Sequence, residues 1–316
     1  MNHRRLRAGD SVLVRPPEEI LSTLDNNGTL DGLPFMPEML GWCGKVFRVK
    51  RRVVKICAPD LPLRRFPSDD VVILDSPRCD GSGHDGCQDG CRILWKEAWL
   101  RPSDAMDVTI QISKTELDEL RARLKVKSDE HHYFCQSTER FKATDAFPGR
   151  QKPWIFRIAF REIRNRDLSA SQVLRLFAFW FWQKLRRKAN GYRSLSGPHE
   201  RAPTNSLGLK PGEVVRIKSR AQIVETLDYK GSNRGLHLCD EMMRCCGLEA
   251  EVRHRVDRFI DEKNGTMRKL PDAVALQNIG RGEDLGEACL CYDQLGDCPR
   301  AGLMYWREIW LERVKS

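Results

Sequence analysis

The chain has no apolar run of the roughly 18 residues that a transmembrane helix requires. Its N-terminus is polar and basic and leads into a strand-like segment, so it lacks the apolar core of a secretory signal. It also lacks a P-loop, a G-x-S-x-G elbow and an H-E-x-x-H zinc motif. We therefore expect a cytoplasmic protein without a transmembrane segment, in which nucleotide-dependent transfer and serine hydrolysis lack support. Whether the protein is an enzyme stays open.

Basic charge is confined to one part of the chain. Residues 150–193 contain twelve Lys or Arg and two acids, so this stretch alone carries the net charge of +10 of the whole 316-residue chain. The remainder is neutral on balance. Basicity is therefore a local feature of the middle of the sequence.

One segment of the sequence occurs twice. Residues 6–44 and 209–247 align without a gap at an offset of 203, and both copies end on Trp-x-Glu-x-Trp-Leu, at 95–100 and 306–311. A repeat of this length predicts two related structural units. We place the first unit at residues 1–102, a middle segment with a linker at 103–206, and the second unit at 207–316.

Both copies are typical of a small β-structure. Each begins with a Gly-Asp or Gly-Glu turn and a short alternating segment, at 11–15 and 214–218. A short helix and two further alternating segments follow in each copy, at 18–24, 45–55 and 70–75 in the first and at 221–227, 248–259 and 272–277 in the second. Short strands and many turns in about 100 residues predict a bent β-barrel. The opening Gly-Asp-x-Val-x-Val resembles SH3-like barrels, and an OB-like barrel is the alternative.

The middle segment is predicted to be helical. Ser113 and Glu116 form a capping box before leucines at helical spacing, Pro153 can begin a second helix that runs to Ile163, and Ser169 can cap a third that runs to about residue 189. The expected fold is therefore α+β, with two duplicated SH3-like barrels joined by helices.

Twelve cysteines are many for a cytoplasmic chain, where thiols stay reduced and clusters indicate metal ligands or catalysis before disulfides. The predicted ligands lie in two groups, Cys43, Cys79, His84, Cys87 and Cys91 in the first copy and Cys246, Cys289, Cys291 and Cys298 in the second. Thiolates and an imidazole in a glycine-rich loop suit zinc. An iron–sulfur cluster is the second candidate, and buried reduced thiols are the alternative to both.

The ligand set within each group stays open. Cys79, His84, Cys87 and Cys91 form the best set of four in the first copy, but the duplication favours a set with Cys43, which aligns with Cys246. The second copy has no counterpart of His84 or Cys91, so its site could have three protein ligands and an open position, as catalytic zinc sites do.

Four residues are weak candidates for catalysis. Glu38 and Glu241 occur in both copies near the first cysteine and could act as a base or orient a ligand, or could cap a turn. Cys135 and the nearby His132 could be a nucleophile and its base, add metal ligands, or pack in the core.

The basic middle segment includes an aromatic helix at 173–182 that four basic residues follow closely. Three interpretations remain open: packing between the two barrels, a peripheral membrane contact, and nucleic-acid binding through residues 150–193.

Three motifs, at 32–39, 78–87 and 305–313, resemble a bacterial family of tandem SH3-like, cysteine-rich proteins. Some members of that family are encoded near natural-product or surface-polysaccharide biosynthesis genes. The resemblance implies a role in a biosynthetic pathway but no particular reaction. We expect a zinc-binding accessory protein that binds a protein partner or a carrier-bound intermediate. A metalloenzyme and a nucleic-acid-binding regulator are the alternatives.

Overall fold

The structure is a computed structural model that describes residues 5–57, 64–75, 78–103, 113–146, 154–190, 195–280 and 302–314. These residues form two compact units. The first unit contains the residues up to Phe177 and the segment Ile260–Arg268, and the second contains Ala178–Phe259, 269–280 and 302–314. Helices and strands occur in both, so the fold is of the mixed α and β class.

Short elements make up the first unit. In chain order they are β1 (Ser11–Val14), α1 (Pro17–Leu21), β2 (Thr29–Leu30), β3 (Leu33–Pro34), a 3₁₀-helix (Pro37–Trp42), β4 (Val46–Arg52), β5 (Arg64–Arg65), β6 (Val71–Leu74), β7 (Trp95–Lys96), a 3₁₀-helix (Glu97–Trp99), β8 (Leu100–Pro102), α2 (Lys114–Ala122), α3 (Gln136–Glu139), β9 (Asp145–Ala146), α4 (Trp154–Arg164) and α5 (Ala170–Asn190). The boundary between the units falls within α5, after Phe177.

The second unit repeats much of this order. Its elements are β10 (Val214–Ile217), α6 (Arg220–Val224), β11 (Ser232–Asn233), β12 (Leu236–His237), α7 (Asp240–Arg244), β13 (Glu249–Arg255), β14 (Arg258–Ile260), β15 (Met267–Lys269), β16 (Ala273–Gln277), β17 (Tyr305–Arg307), a 3₁₀-helix (Glu308–Trp310) and β18 (Leu311–Arg313). Of these, β14 ends and β15 begins within the Ile260–Arg268 segment of the first unit. The strands and short helices expected in both copies therefore occur within a few residues of the predicted bounds.

Each unit contains one antiparallel five-stranded sheet, and the two sheets have the same order. The first runs β7-β6-β4-β1-β8 and the second β17-β16-β13-β10-β18. A register shift lies between Val49 and Arg51 in β4 and between Val252 and His254 in β13. These two positions are separated by the offset of the sequence repeat.

The Trp-x-Glu-x-Trp-Leu motif contains a turn between two strands in both copies. In both copies a 3₁₀-turn divides it into two strands, which lie at opposite edges of the sheet. A three-residue turn covers only about 6 Å, whereas five strands at a spacing of about 4.8 Å are about 19 Å across. Each sheet is therefore strongly curled. Among the described residues neither sheet closes into a barrel, because its two edge strands do not pair with each other.

The tryptophans of this motif occupy the centre of each core. Trp95, Trp99, Trp306 and Trp310 are fully buried. The motif's glutamate binds the chain just before the first strand: Glu97 Oε1 accepts from the amide of Leu6 at 2.8 Å, and Glu308 Oε2 accepts from the amide of Gly208 at 2.8 Å. The motif thus ties the end of each sequence copy to its beginning.

The helices predicted for the middle segment are confirmed. Ser113 Oγ caps α2 by accepting from Glu116 N, and Ser169 and Gln172 form a capping box before α5. The short helix α3 and strand β9 were not predicted. Within the described ranges, every helix is too short or too polar to span a bilayer.

Candidate functional site

A glycine-rich loop between β6 and β7 carries most of the ligands predicted for the first copy. The amide of Cys79 donates to the carbonyl of Cys91 at 2.8 Å and closes the base of the loop, and His84 N donates to Gly81 O at 2.9 Å. Gly81 has a φ of 68°, and a Cβ at this position would lie 2.0 Å from the carbonyl oxygen of Cys87. Only glycine therefore allows the loop to fold back on itself here.

Residues 81–86 also have the spacing of the glycine fingerprint of dinucleotide-binding folds, G-x-G-x-x-G. That fingerprint requires a strand immediately before it and a helix that begins within it. Here the run lies in an irregular loop that strand β7 follows, so the glycines serve tight turns.

The loop lines a cavity of about 630 Å³, part of which is open to solvent. Four cysteines line it, Cys79, Cys87, Cys91 and Cys135. The apolar part of the lining includes Met36, Ile56, Leu94 and Ile260. Cys135 precedes α3 and lies outside both repeats, so the fold brings it to the loop cysteines from a distant part of the sequence. No disulfide joins the cysteines of the described ranges.

Three of the four sulfurs accept backbone hydrogen bonds from the residue two positions later. The pairs are Gly81 N to Cys79, Asp89 N to Cys87 and Ser137 N to Cys135. Cys87 Sγ also accepts from Ile260 N at 3.4 Å. Such bonds favour negative charge on sulfur.

Burial acts in the opposite direction, because it disfavours the charged thiolate relative to the neutral thiol. It raises the pKa of Cys79 and Cys87 above the ordinary thiol value, and it raises the pKa of Cys135 to about 11. The three groups are therefore protonated at neutral pH unless a cation neutralises the thiolates. A thiol in this state is not an activated nucleophile.

His84 is buried beside the cavity with both ring nitrogens hydrogen-bonded. Nδ1 lies 2.7 Å from Glu38 Oε1, and Nε2 lies 3.0 Å from the carbonyl oxygen of Phe134. Because a carbonyl can only accept, Nε2 carries a proton. Burial opposes charge on both partners, but their hydrogen bond and mutual attraction outweigh it, so the pKa of Glu38 is lowered and that of His84 is raised. The pair is an imidazolium and a carboxylate, and neither ring nitrogen is available to a metal in this arrangement.

Glu38 thereby acts as the anchor of the loop. Its Oε1 also accepts from Gly83 N at 3.1 Å, and its Oε2 has no hydrogen-bond partner among the described residues. Leu295 aligns with His84, so the equivalent Glu241 faces no such partner in sequence. The side chain of Glu241 and residues Cys289, Cys291 and Cys298 lie outside what the structure describes, and their predicted roles stay predictions.

The segment Ile260–Arg268 belongs to the second copy in sequence but to the first unit in the structure, and its first residue, Ile260, lines the cavity. Glu262 forms an ion pair with Arg140 and accepts from Ser137 Oγ at 3.3 Å. Gly265 O accepts from the amide of Tyr133 at 2.8 Å. These contacts fix the segment to the chain around Cys135.

Cys43 and Cys246, the pair that both copies share, do not line the cavity. Their sulfurs lie 3.9 Å and 3.8 Å from the carbonyl oxygens of Met39 and Met242. Burial, with a smaller contribution from Glu18, raises the pKa of Cys43 to about 12. Both cysteines thus occupy the same packing position one helical turn after a methionine.

His132 is not brought to Cys135. Its ring is exposed, and Nδ1 lies 2.7 Å from Asp129 Oδ1. The expected pairing of these two residues as nucleophile and base therefore has no geometry to support it.

The sequence offered Cys135 as a nucleophile, an added metal ligand or a core residue, but it did not place this residue beside the loop cysteines. Its sequence context is a single cysteine before a helix, Cys135-Gln136-Ser137. Because this segment lies outside both repeats, comparison of the two copies gives no information about it. No group of three or more His, Cys, Asp or Glu side chains among the described residues has metal-ligating geometry. Thiols are the type of ligand that soft metals prefer, and four of them line one cavity.

Comparisons of the chain with protein-family models, curated proteins and solved structures find no match.

Proposed function

We propose that the first unit binds zinc through Cys79, Cys87, Cys91 and Cys135, and that the protein acts as a binding or accessory factor. The observation that carries this proposal is the convergence of four cysteines from two chain segments on one cavity. The set differs from the one predicted from sequence in that Cys135 replaces His84.

In this proposal, zinc neutralises the charge of the buried thiolates and stabilises the fold. Thiolates bound to zinc supply folding free energy directly. The amides that donate to Cys79, Cys87 and Cys135 would then support the charge on sulfur. Rotation of the cysteine side chains about Cα–Cβ is needed to bring the sulfurs into a tetrahedron.

A site with four protein ligands is closed, so it would stabilise the fold rather than catalyse a reaction. In this proposal each curled sheet is an SH3-like unit, and zinc holds the loop, α3 and the Ile260–Arg268 segment in place to present a binding surface. The partner is a protein or a carrier-bound intermediate. A role in a biosynthetic pathway rests on the family resemblance alone.

The test is the zinc content of the full chain, purified without chelators and measured by mass spectrometry. We expect Cys87→Ser and Cys135→Ser each to lose about one zinc equivalent, because a tetrahedral site needs all four ligands. Cys43→Ala and Cys246→Ser are matched controls that remove cysteines outside the cavity, and they should retain it. Equal zinc content in the wild type and Cys135→Ser would overturn the proposal.

A second variant separates the two ligand sets. His84→Gln should retain zinc if four cysteines bind it, because the glutamine side chain can still contact Glu38. Loss of zinc in His84→Gln together with retention in Cys135→Ser would instead establish the set predicted from sequence. If the purified protein is brown, absorbs near 400 nm and contains iron, the site holds an iron–sulfur cluster and not zinc.

A further inference from the structure

The helix α4 has two contrasting faces. On one side Ile158 and Glu162 are buried, and Glu162 forms an ion pair with Arg51 of β4. On the other side Phe156 and Phe160 are 65% and 67% exposed, and Ile163 follows one turn later, also exposed. Positions 156, 160 and 163 are neighbours on a helix surface, so they form one continuous apolar stripe.

The first turns of α5 extend this stripe. Leu174 is 71% exposed. Phe177 stacks on Phe156 with ring centroids 5.4 Å apart. Only Ala159 and Val173 are buried between the helices in this small cluster. Among the described side chains of residues 154–177, four large apolar ones are therefore exposed, namely Phe156, Phe160, Ile163 and Leu174, and folded surfaces rarely expose such a group without a partner.

Acidic and basic side chains of this helix pair also lie on different sides. Its two acids face the protein: Glu162 lies 3.0 Å from Arg51 and 3.8 Å from Lys55, and Asp167 accepts from the amide of Arg52 at 3.0 Å. The exposed arginines of the pair are Arg157, Arg164, Arg166 and Arg175. The outer face thus combines apolar and basic groups and presents no acid.

We infer that residues 154–177 dock the protein onto an anionic lipid surface. Phenylalanine, isoleucine and leucine with flanking arginine are the composition of helices that lie in a membrane interface. Nucleic acid is the weaker candidate, because Ile163 and Leu174 offer no ring for a base to stack on. A second copy is disfavoured, because two faces that carry only positive charge repel each other.

The test is sedimentation of the full chain with phosphatidylcholine vesicles, with and without phosphatidylglycerol. We expect binding that needs the anionic lipid and weakens when NaCl rises from about 0.1 M to about 0.5 M. Because each basic residue near an anionic surface strengthens binding about fivefold, Arg157→Gln with Arg164→Gln should weaken it by more than about tenfold.

Apolar insertion has its own variant and control. Phe160→Ser with Leu174→Ser should abolish vesicle binding without lowering the melting temperature, since both side chains are exposed. Tyr229→Ser, which removes an aromatic ring that is 63% exposed outside this surface, should bind as the wild type does. Equal sedimentation with neutral and anionic vesicles would overturn the inference. So would salt-sensitive binding to random-sequence DNA or RNA that Arg157→Gln weakens and Phe160→Ser leaves intact, or a dimer that forms through this face while vesicles stay unbound.

Discussion

The indole Nε1 of Trp99 donates a hydrogen bond to Oγ1 of Thr23 at 3.1 Å. Trp310 makes the same bond to Thr226 at 2.9 Å in the second unit. Both threonine hydroxyls in turn donate to an isoleucine carbonyl three residues earlier, at 2.6 Å and 2.7 Å. The last part of each copy is thereby tied to the short helix near its beginning, through residues that the sequence repeat has kept.

The two bonds should have similar energetic value. Thr23→Val and Thr226→Val keep the shape of the side chain but leave a fully buried indole N–H without an acceptor, which costs about 1–3 kcal/mol. We expect each variant to lower the free energy of unfolding in urea by this amount. Thr204→Val, at an exposed position, is the control. If only one variant loses stability, the tryptophan–threonine hydrogen bond does not stabilise both units equally.

The regular elements were predictable because they depend on local patterns. Alternation located β1 and β10, and the capping residues Ser113 and Ser169 located α2 and α5. The 3₁₀-turn at Glu97–Trp99 was missed because its cause is not local. Glu97 leaves the strand to bind the amide of Leu6, 91 residues earlier.

The candidate site was predictable only in part, for the same reason. Spacing identified Cys79, Cys87 and Cys91 as one cluster in a glycine-rich loop. It could not show that Cys135 reaches the same cavity, since that depends on how α3 packs. It also gave His84 to the metal, whereas a buried imidazole next to Glu38 is paired with the carboxylate. Duplication favoured Cys43, but repeats preserve packing positions as well as ligands.

The Ile260–Arg268 segment should control how fast zinc leaves the proposed site. Glu262→Ala removes the ion pair with buried Arg140 and the contact with Ser137. We expect zinc transfer to a chromogenic chelator to accelerate several-fold. The upper bound is about 100-fold, because removal of a residue that supports a metal ligand lowers metal affinity by about 10–100-fold. Lys263→Ala, an exposed change in the same segment, should keep the wild-type rate. Identical rates for all three proteins would separate this segment from the metal site.

Asp167 should make stability depend on pH near neutrality. Burial, followed by the charge of Glu162, raises the pKa of Asp167 from 3.8 to about 7. The folded chain therefore holds a proton that the unfolded chain releases above about pH 4, and the resulting stability is complete below that pH and lost as the pH rises through about 7.

Asp167→Asn removes this titration and keeps an oxygen to accept from Arg52 N. We expect the stability of the variant relative to the wild type to be greater at pH 8 than at pH 5 by on the order of 2 kcal/mol. Chemical denaturation of both proteins at each pH measures the difference in the free energy of unfolding. Groups that titrate equally in the two proteins do not contribute to this difference. Asp129→Asn, at an exposed carboxylate, should not reproduce the gain. The same stability difference between the variant and the wild type at pH 5 and at pH 8 would contradict the raised pKa.

Gly81 and Gly86 provide a matched pair that separates steric conflict from backbone strain. Both have positive φ, 68° and 72°, so alanine strains the backbone similarly at either position. A Cβ at Gly81 would also lie 2.0 Å from the carbonyl oxygen of Cys87, whereas a Cβ at Gly86 meets no atom within 4 Å. We expect Gly86→Ala to cost about 1 kcal/mol and to retain zinc, and Gly81→Ala to displace Cys87 and lose zinc as Cys87→Ser does. Thermal unfolding and zinc content are the measurements. If both alanine variants bind zinc equally, the close approach at Gly81 does not position the cysteine.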